Sequence, residues 1–142
     1  MSPSTPIILP AFALVLLTFV VGMRMLYLRV REMRIKRVHP QAAATSLQMA
    51  AKLEDVRASD NFRNLFETPV LFYALVGVAV GSGFTPGWLV AGAWVYVMLR
   101  AAHSAIHCTT NRVMHRFPVY FASSTVLFVL WLLFAWRLML AR

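Results

Sequence analysis

The sequence predicts an all-α integral membrane protein, a bundle of four transmembrane helices in a single domain over residues 1–142. Three observations lead there. Hydrophobic residues make up 60% of the chain and charged residues 13%, against about a quarter charged in a soluble domain, and no water-soluble fold of this size hides so much apolar surface. The apolar residues gather in four runs, near 6–28, 64–81, 88–108 and 118–140, each close to the ~20 residues that a spanning helix needs. The charge is one-sided: the loops 29–63 and 109–117 are basic, whereas the hairpin at 81–87 carries no charge.

The first run goes from Pro6 through Phe12 and Val21 to Leu28. Residues 1–6 hold no Lys or Arg, and no small-residue cleavage site follows a short apolar core, so a retained helix is expected and not a signal peptide. The segment Pro40 to Asp60 is Ala-rich, with Leu47, Leu53 and Val56 scattered through it. It is expected either to extend the second helix into the cytoplasm or to lie on the membrane surface. The second run ends in Gly81-Ser82-Gly83-Phe84-Thr85-Pro86-Gly87, a dense set of turn residues that predicts a short hairpin. The third starts at Trp88 and turns polar over its last two turns before Cys108. The fourth is expected to begin at Pro118, a residue suited to a first helical position. Trp88 and Trp136 lie where interfacial aromatics belong.

Arg29, Arg31, Arg34, Lys36, Arg37, Lys52 and Arg57 lie between the first and second spans, and Arg112 and Arg116 between the third and fourth. Basic loops stay inside, so these loops are expected to be cytoplasmic and both termini to face outward. Arg137 and Arg142 run against this at the outer end, but the earlier spans dominate. The net charge of +9 is therefore read as topology and attraction to anionic lipid, with no nucleic-acid partner. Only two lysines, Lys36 and Lys52, stand among 14 basic residues. That bias points to a GC-rich bacterial genome and hence to the cytoplasmic (inner) membrane. Cys108 is the only cysteine, which leaves no intrachain disulfide.

Polar residues inside the spans carry the chemistry. Asp60, Arg63, Asn64 and Glu67 recur at spacings of three and four, which on a continuous helix puts them on one face. Glu67 lies at the edge of hydrocarbon, where a charge costs about 3 kcal/mol on insertion scales and is by default a functional residue; the alternative is an interhelical ion pair with Arg63 or Arg100. In the third span Arg100, His103, Ser104, His107 and Asn111 form a polar stripe that cannot face lipid. His103 and His107 lack a third ligand at fixed spacing, so no metal or haem is expected. Arg112, Arg116 and Tyr120 follow at intervals of four, and the N-terminal end of the fourth helix adds positive potential beside Arg116. Such a place favours an anion.

The run Phe62-Arg63-Asn64-Leu65-Phe66-Glu67 with Pro69, together with Arg100, His103, Arg112, Arg116 and Tyr120, resembles the MAPEG superfamily, the membrane-associated proteins of eicosanoid and glutathione metabolism. The spacing is similar to that of its microsomal glutathione transferase and prostaglandin E synthase members. The resemblance implies a homotrimer of four-helix subunits with glutathione as cosubstrate, bound at each subunit interface near the cytoplasmic side. It further implies Arg63, Asn64, Glu67, Arg100, His103 and His107 as glutathione-binding residues and Arg116 and Tyr120 as catalytic ones, with Arg29 or Arg31 contributing from the first span. His107 stands where relatives have a tyrosine, and Phe117 where the prostaglandin synthase has a serine.

The function expected is a glutathione-dependent transferase or peroxidase acting on lipophilic electrophiles that arrive through membrane lipid. Glutathione offers two carboxylates, one ammonium and a thiol, which several Arg and one Glu match in charge, with bidentate Arg–carboxylate pairing as the strong contact. Two alternatives stay open: a non-catalytic MAPEG-like protein that binds a lipid or a partner protein, and a small transporter whose polar stripes line a pathway.

Overall fold

The computed structural model describes residues 5–140, so Arg142 lies outside the described residues. Among those residues the chain is entirely helical and loop. It runs as α1 (Thr5–Ile35), a 3-10 turn (Pro40–Ala43), α2 (Ser46–Lys52), α3 (Arg57–Asn64), α4 (Thr68–Ser82), α5 (Gly87–Cys108) and α6 (Val113–Leu140). Four stretches are long and apolar enough to cross a membrane: Pro6–Ile35, Arg57–Ser82, Gly87–Cys108 and Val113–Leu140. The fold is thus an all-α membrane bundle, with α5 packed against both α1 and α6.

Along α1 the buried residues are Ile7, Pro10, Leu14 and Val21, a narrow seam of spacing three, four and seven, while Phe12, Leu16, Phe19 and Val20 point away from the bundle. Lipid is as apolar as these side chains, so burial alone does not drive such helices together and close packing does. Two glycines provide it. A Cβ on Gly22 would stand 2.9 Å from Phe62 Cε2, and one on Gly92 would stand 2.4 Å from Leu130 Cδ2.

Helix boundaries depart from expectation at three places. The segment 40–60 does not form one extension: it breaks into the 3-10 turn, then α2, which starts at a capping box between Thr45 and Gln48, then α3. Neither is the second span one helix, because α3 ends at Asn64 and α4 begins at Thr68 with Pro69 in its first turn. A proline ring inside a helix collides with the carbonyl four residues earlier, here Leu65, and the chain interrupts its helix there. Finally, α6 starts at Val113, not Pro118. The Arg112 carbonyl accepts from the N–H groups of His115 and Arg116, and Pro118 sits one turn into the helix, which shortens the loop after α5 to residues 109–112.

The segment between α1 and α3 is pinned to the bundle by charge. Lys36 Nζ reaches Glu32 and Glu54, each at 2.8 Å, and Glu32 accepts from the Glu54 N–H at 2.7 Å. Arg57 grips Asp55 through Nε and Nη2, both at 2.8 Å, and holds its carboxyl below the usual carboxylate range. The third nitrogen of Arg57 donates to the Thr109 carbonyl at 2.6 Å, and Arg24 donates to the Cys108 carbonyl at 3.0 Å. Two guanidinium groups from different elements therefore close the C-terminal end of α5, where orphan carbonyls and the helix dipole both favour a cation.

Because Gly92 abuts Leu130, Gly92→Val is expected to destabilise the detergent-solubilised protein by about 1–3 kcal/mol, the usual cost of overpacking. Leu130→Ala in that background should recover part of the loss. Thermal unfolding of the three proteins measures both effects, and an unchanged midpoint for Gly92→Val would contradict this packing.

Candidate functional site

The site is built on the C-terminal half of α5. Positions 100, 103, 104, 107 and 111 follow one another at helical spacing, and the first four are all buried at 2% exposure or less. Helices α3 and α6 supply their partners.

Arg100 is fully enclosed. Its Nη2 donates to the Asn64 carbonyl at 2.9 Å, and its guanidinium carbon lies 5.4 Å from the centre of the Tyr120 ring, within cation–π range. The carbonyl is available because α3 stops at Asn64, whose carbonyl otherwise receives only the Glu67 N–H at 3.4 Å. Nε and Nη1 of Arg100 have no partner among the described residues. A buried donor left unpaired costs about 1–3 kcal/mol, more when charged, so this guanidinium has unused capacity for a polar group.

Arg116 is half-buried at the start of α6. Its Nη1 lies 2.6 Å from His107 Nε2 and 2.7 Å from Asn111 Oδ1. Since a guanidinium only donates, His107 Nε2 is the acceptor there and the ring is neutral with its proton on Nδ1. His103 Nδ1 lies 3.1 Å from the Arg116 carbonyl, which only accepts, so His103 carries its proton on Nδ1 as well. The rings of His103 and His107 meet edge-on at 5.5 Å, and Tyr120 stands 5.5 Å from His103.

Behind these residues Asn61 is fully buried, its Oδ1 accepting from Ser104 Oγ at 3.3 Å and its Nδ2 donating to Cys108 Sγ at 3.4 Å. This network joins α3 to α5 immediately under the arginines.

The residues singled out by sequence do not all converge. Arg100, His103, His107, Arg116 and Tyr120 form one contact network, which Asn64 joins through its main chain. Arg63 is exposed and, with Arg29 and Asp60, borders a separate cavity of about 450 Å³ between α1, α2 and α3. Arg31 does not line that cavity. Glu67 is exposed in the break between α3 and α4 and enters no ion pair with Arg63 or Arg100 among the described residues. The one-face argument for Asp60, Arg63, Asn64 and Glu67 fails because the helix is interrupted between Asn64 and Thr68. Asn61 and Arg24 were not anticipated. Arg24 was legible as an arginine within an apolar run; Asn61 carries no such mark beside the charged Asp60 and Arg63.

The arrangement is a half-open polar cluster. Two guanidinium groups, one enclosed and one at the rim, stand beside neutral imidazoles and a phenol, with exposed Arg63 and Glu67 further out. The model of the MAPEG family matches residues 7–136 of the chain. No curated protein and no solved structure matches it.

Removing the Asn61 amide leaves Ser104 Oγ without its acceptor, so Asn61→Ala is expected to lose about 1–3 kcal/mol. Thermal unfolding in detergent checks this against Asp60→Ala, an exposed neighbour expected to change stability by less than about 0.5 kcal/mol.

Proposed function

The chain belongs to the MAPEG family, a membrane family of glutathione and eicosanoid metabolism, and from that premise we propose a glutathione-dependent transferase or peroxidase acting on lipophilic electrophiles. The observation that carries the reading is the pair Arg100 and Arg116. Each keeps guanidinium nitrogens without a partner among the described residues, in a place that a bilayer would otherwise forbid to charge.

Glutathione supplies a nucleophilic thiol, and the donor set fits it. Its carboxylates suit the free arginine nitrogens and Arg63, and its ammonium suits Glu67. A free thiol titrates near 8.5, and lowering that by about two units takes roughly 3 kcal/mol of thiolate stabilisation. Arg116 at the rim is placed for that stabilisation, with the Tyr120 hydroxyl as an added donor. Arg100 holds the Asn64 main chain and underlies the Tyr120 ring, so it orients both partners. His103 and His107, being neutral, add no competing charge. The electrophile then reaches the sulfur from the lipid side, which the exposed apolar flanks of α1 and α6 leave open.

In this reading the subunits form homotrimers, with a neighbouring subunit closing the exposed side of each site where Glu67 and Arg63 lie open. The membrane is the inner one of a bacterium, and both termini lie outside. The non-catalytic alternative, a lipid- or partner-binding member of the same fold, keeps the network and lacks conjugation.

Calorimetry with glutathione on the purified protein is expected to show binding that weakens in Arg116→Ala, with conjugation of a dinitrophenyl halide falling at least tenfold, the size of a lost charge-assisted hydrogen bond. Equal rates in both proteins would remove Arg116 from the mechanism, and no binding at millimolar glutathione would favour the non-catalytic reading. For orientation, a single cysteine at Gly83 in a Cys108→Ser background should react with an impermeant maleimide from outside intact cells. Labelling only after lysis would reverse the topology.

A further inference from the structure

Two successive turns of one face of α5, and the turn that follows the helix, are devoted to a single residue of α6. His103 meets the Arg116 carbonyl at 3.1 Å, His107 Nε2 meets Arg116 Nη1 at 2.6 Å, and Asn111 Oδ1 meets the same Nη1 at 2.7 Å. Asn111 reaches it from the turn after α5, where its backbone adopts a left-handed φ of 49°, a conformation that asparagine tolerates better than most residues. Nη1 has two protons, and the two acceptors account for both. The remaining edge of the guanidinium, Nε with Nη2, makes no hydrogen bond within the described residues and belongs to a half-buried side chain. That edge is a planar two-donor fork.

We propose that His107 and Asn111 are a positioning seat for Arg116, which holds Nη1 so that the Nε–Nη2 edge presents a fixed bidentate fork to an anionic group of the substrate. The proposal rests on the reading of Arg116 as the anion-binding residue. It assigns His107 a role different from ligand contact, since its ring is 1% exposed and Nε2 is already engaged. The seat works only with a neutral imidazole, because a proton on Nε2 would set donor against donor. It also removes side-chain freedom in advance: an arginine that is ordered before binding loses less entropy when the anion arrives.

The test compares two replacements of His107 in the full-length protein in detergent. His107→Gln keeps an acceptor near the position of Nε2, and His107→Leu removes it. Glutathione affinity by calorimetry is expected to fall about tenfold in the leucine variant, in line with a hydrogen bond to a charged group, and to recover to within about threefold in the glutamine variant. Equal losses in both would show that the acceptor is not what matters and would overturn the seat. Nitrogen-15 NMR of labelled histidine provides an arm independent of glutathione and of either variant folding. Wild-type His107 should be the neutral Nδ1–H tautomer, and Arg116→Gln should shift its Nε2 resonance; an Nε2–H tautomer, or no shift, would overturn the proposal. Absence of glutathione binding in the wild type, by contrast, sinks the functional reading and leaves the NMR measurement to decide the seat.

Discussion

A guanidinium carried into a membrane-spanning bundle has to be solvated by the protein, because the hydrocarbon around it will not do so. Arg100 is that group, and the surrounding structure answers part of its demand while leaving Nε and Nη1 without a partner among the described residues. The helix break after Asn64 frees a carbonyl for Nη2, Tyr120 from α6 lends the face of its ring, and the neutral histidines one and two turns along α5 avoid adding a second buried charge. Neutrality of His107 is in turn enforced by Arg116, which has only protons to give. Remove the enclosed arginine and the reason for bringing α3, α5 and α6 together at this height goes with it.

The same economy holds α5 in place. Its polar face would be unstable if the helix could slide or rotate, and its C-terminal end is fixed by Arg24 from α1 and Arg57 from the start of α3. These two contacts meet adjacent carbonyls, so they set both the depth and the rotation of α5. Asn61 adds a third point of attachment on the side facing α3. The site is thus supported from below by neutral hydrogen bonds and from the end by cations, and α5 is the element on which both converge.

Much of this was legible in the sequence. The four apolar runs and the polar stripe from Arg100 to Asn111 follow from composition and period alone, since a bilayer tolerates few other arrangements. The match of the MAPEG family over residues 7–136 agrees with the resemblance drawn from Arg63 to Glu67 and Arg100 to Tyr120. The ends near Gly81 and at Cys108 were legible too; what escaped was the break inside the second span and the start of the fourth helix. Spacing placed Glu67 beside Arg63 because it assumed an unbroken helix, although Pro69 was present to contradict it. Pro118 invited a helix start that the Arg112 carbonyl provides a turn and a half earlier. Asn61 has no sequence signature at all: a buried amide is recognised only once its partners, Ser104 and Cys108, are known to face it.

The interruption between α3 and α4 has a consequence for how such a chain tolerates change over evolutionary time. The chain passes from α3 to α4 through turn-type bonds, Phe66 N–H to the Arg63 carbonyl and Glu67 N–H to the Asn64 carbonyl, so the two helices need not share one axis. The Asn64 carbonyl, at the very end of α3, is nonetheless the one fixed by Arg100. Between the pins at Lys36 and Glu54 the loop can change length, whereas the angular phase of α3 cannot change, and the register to be preserved is a rotation about one hinge and not a count of residues.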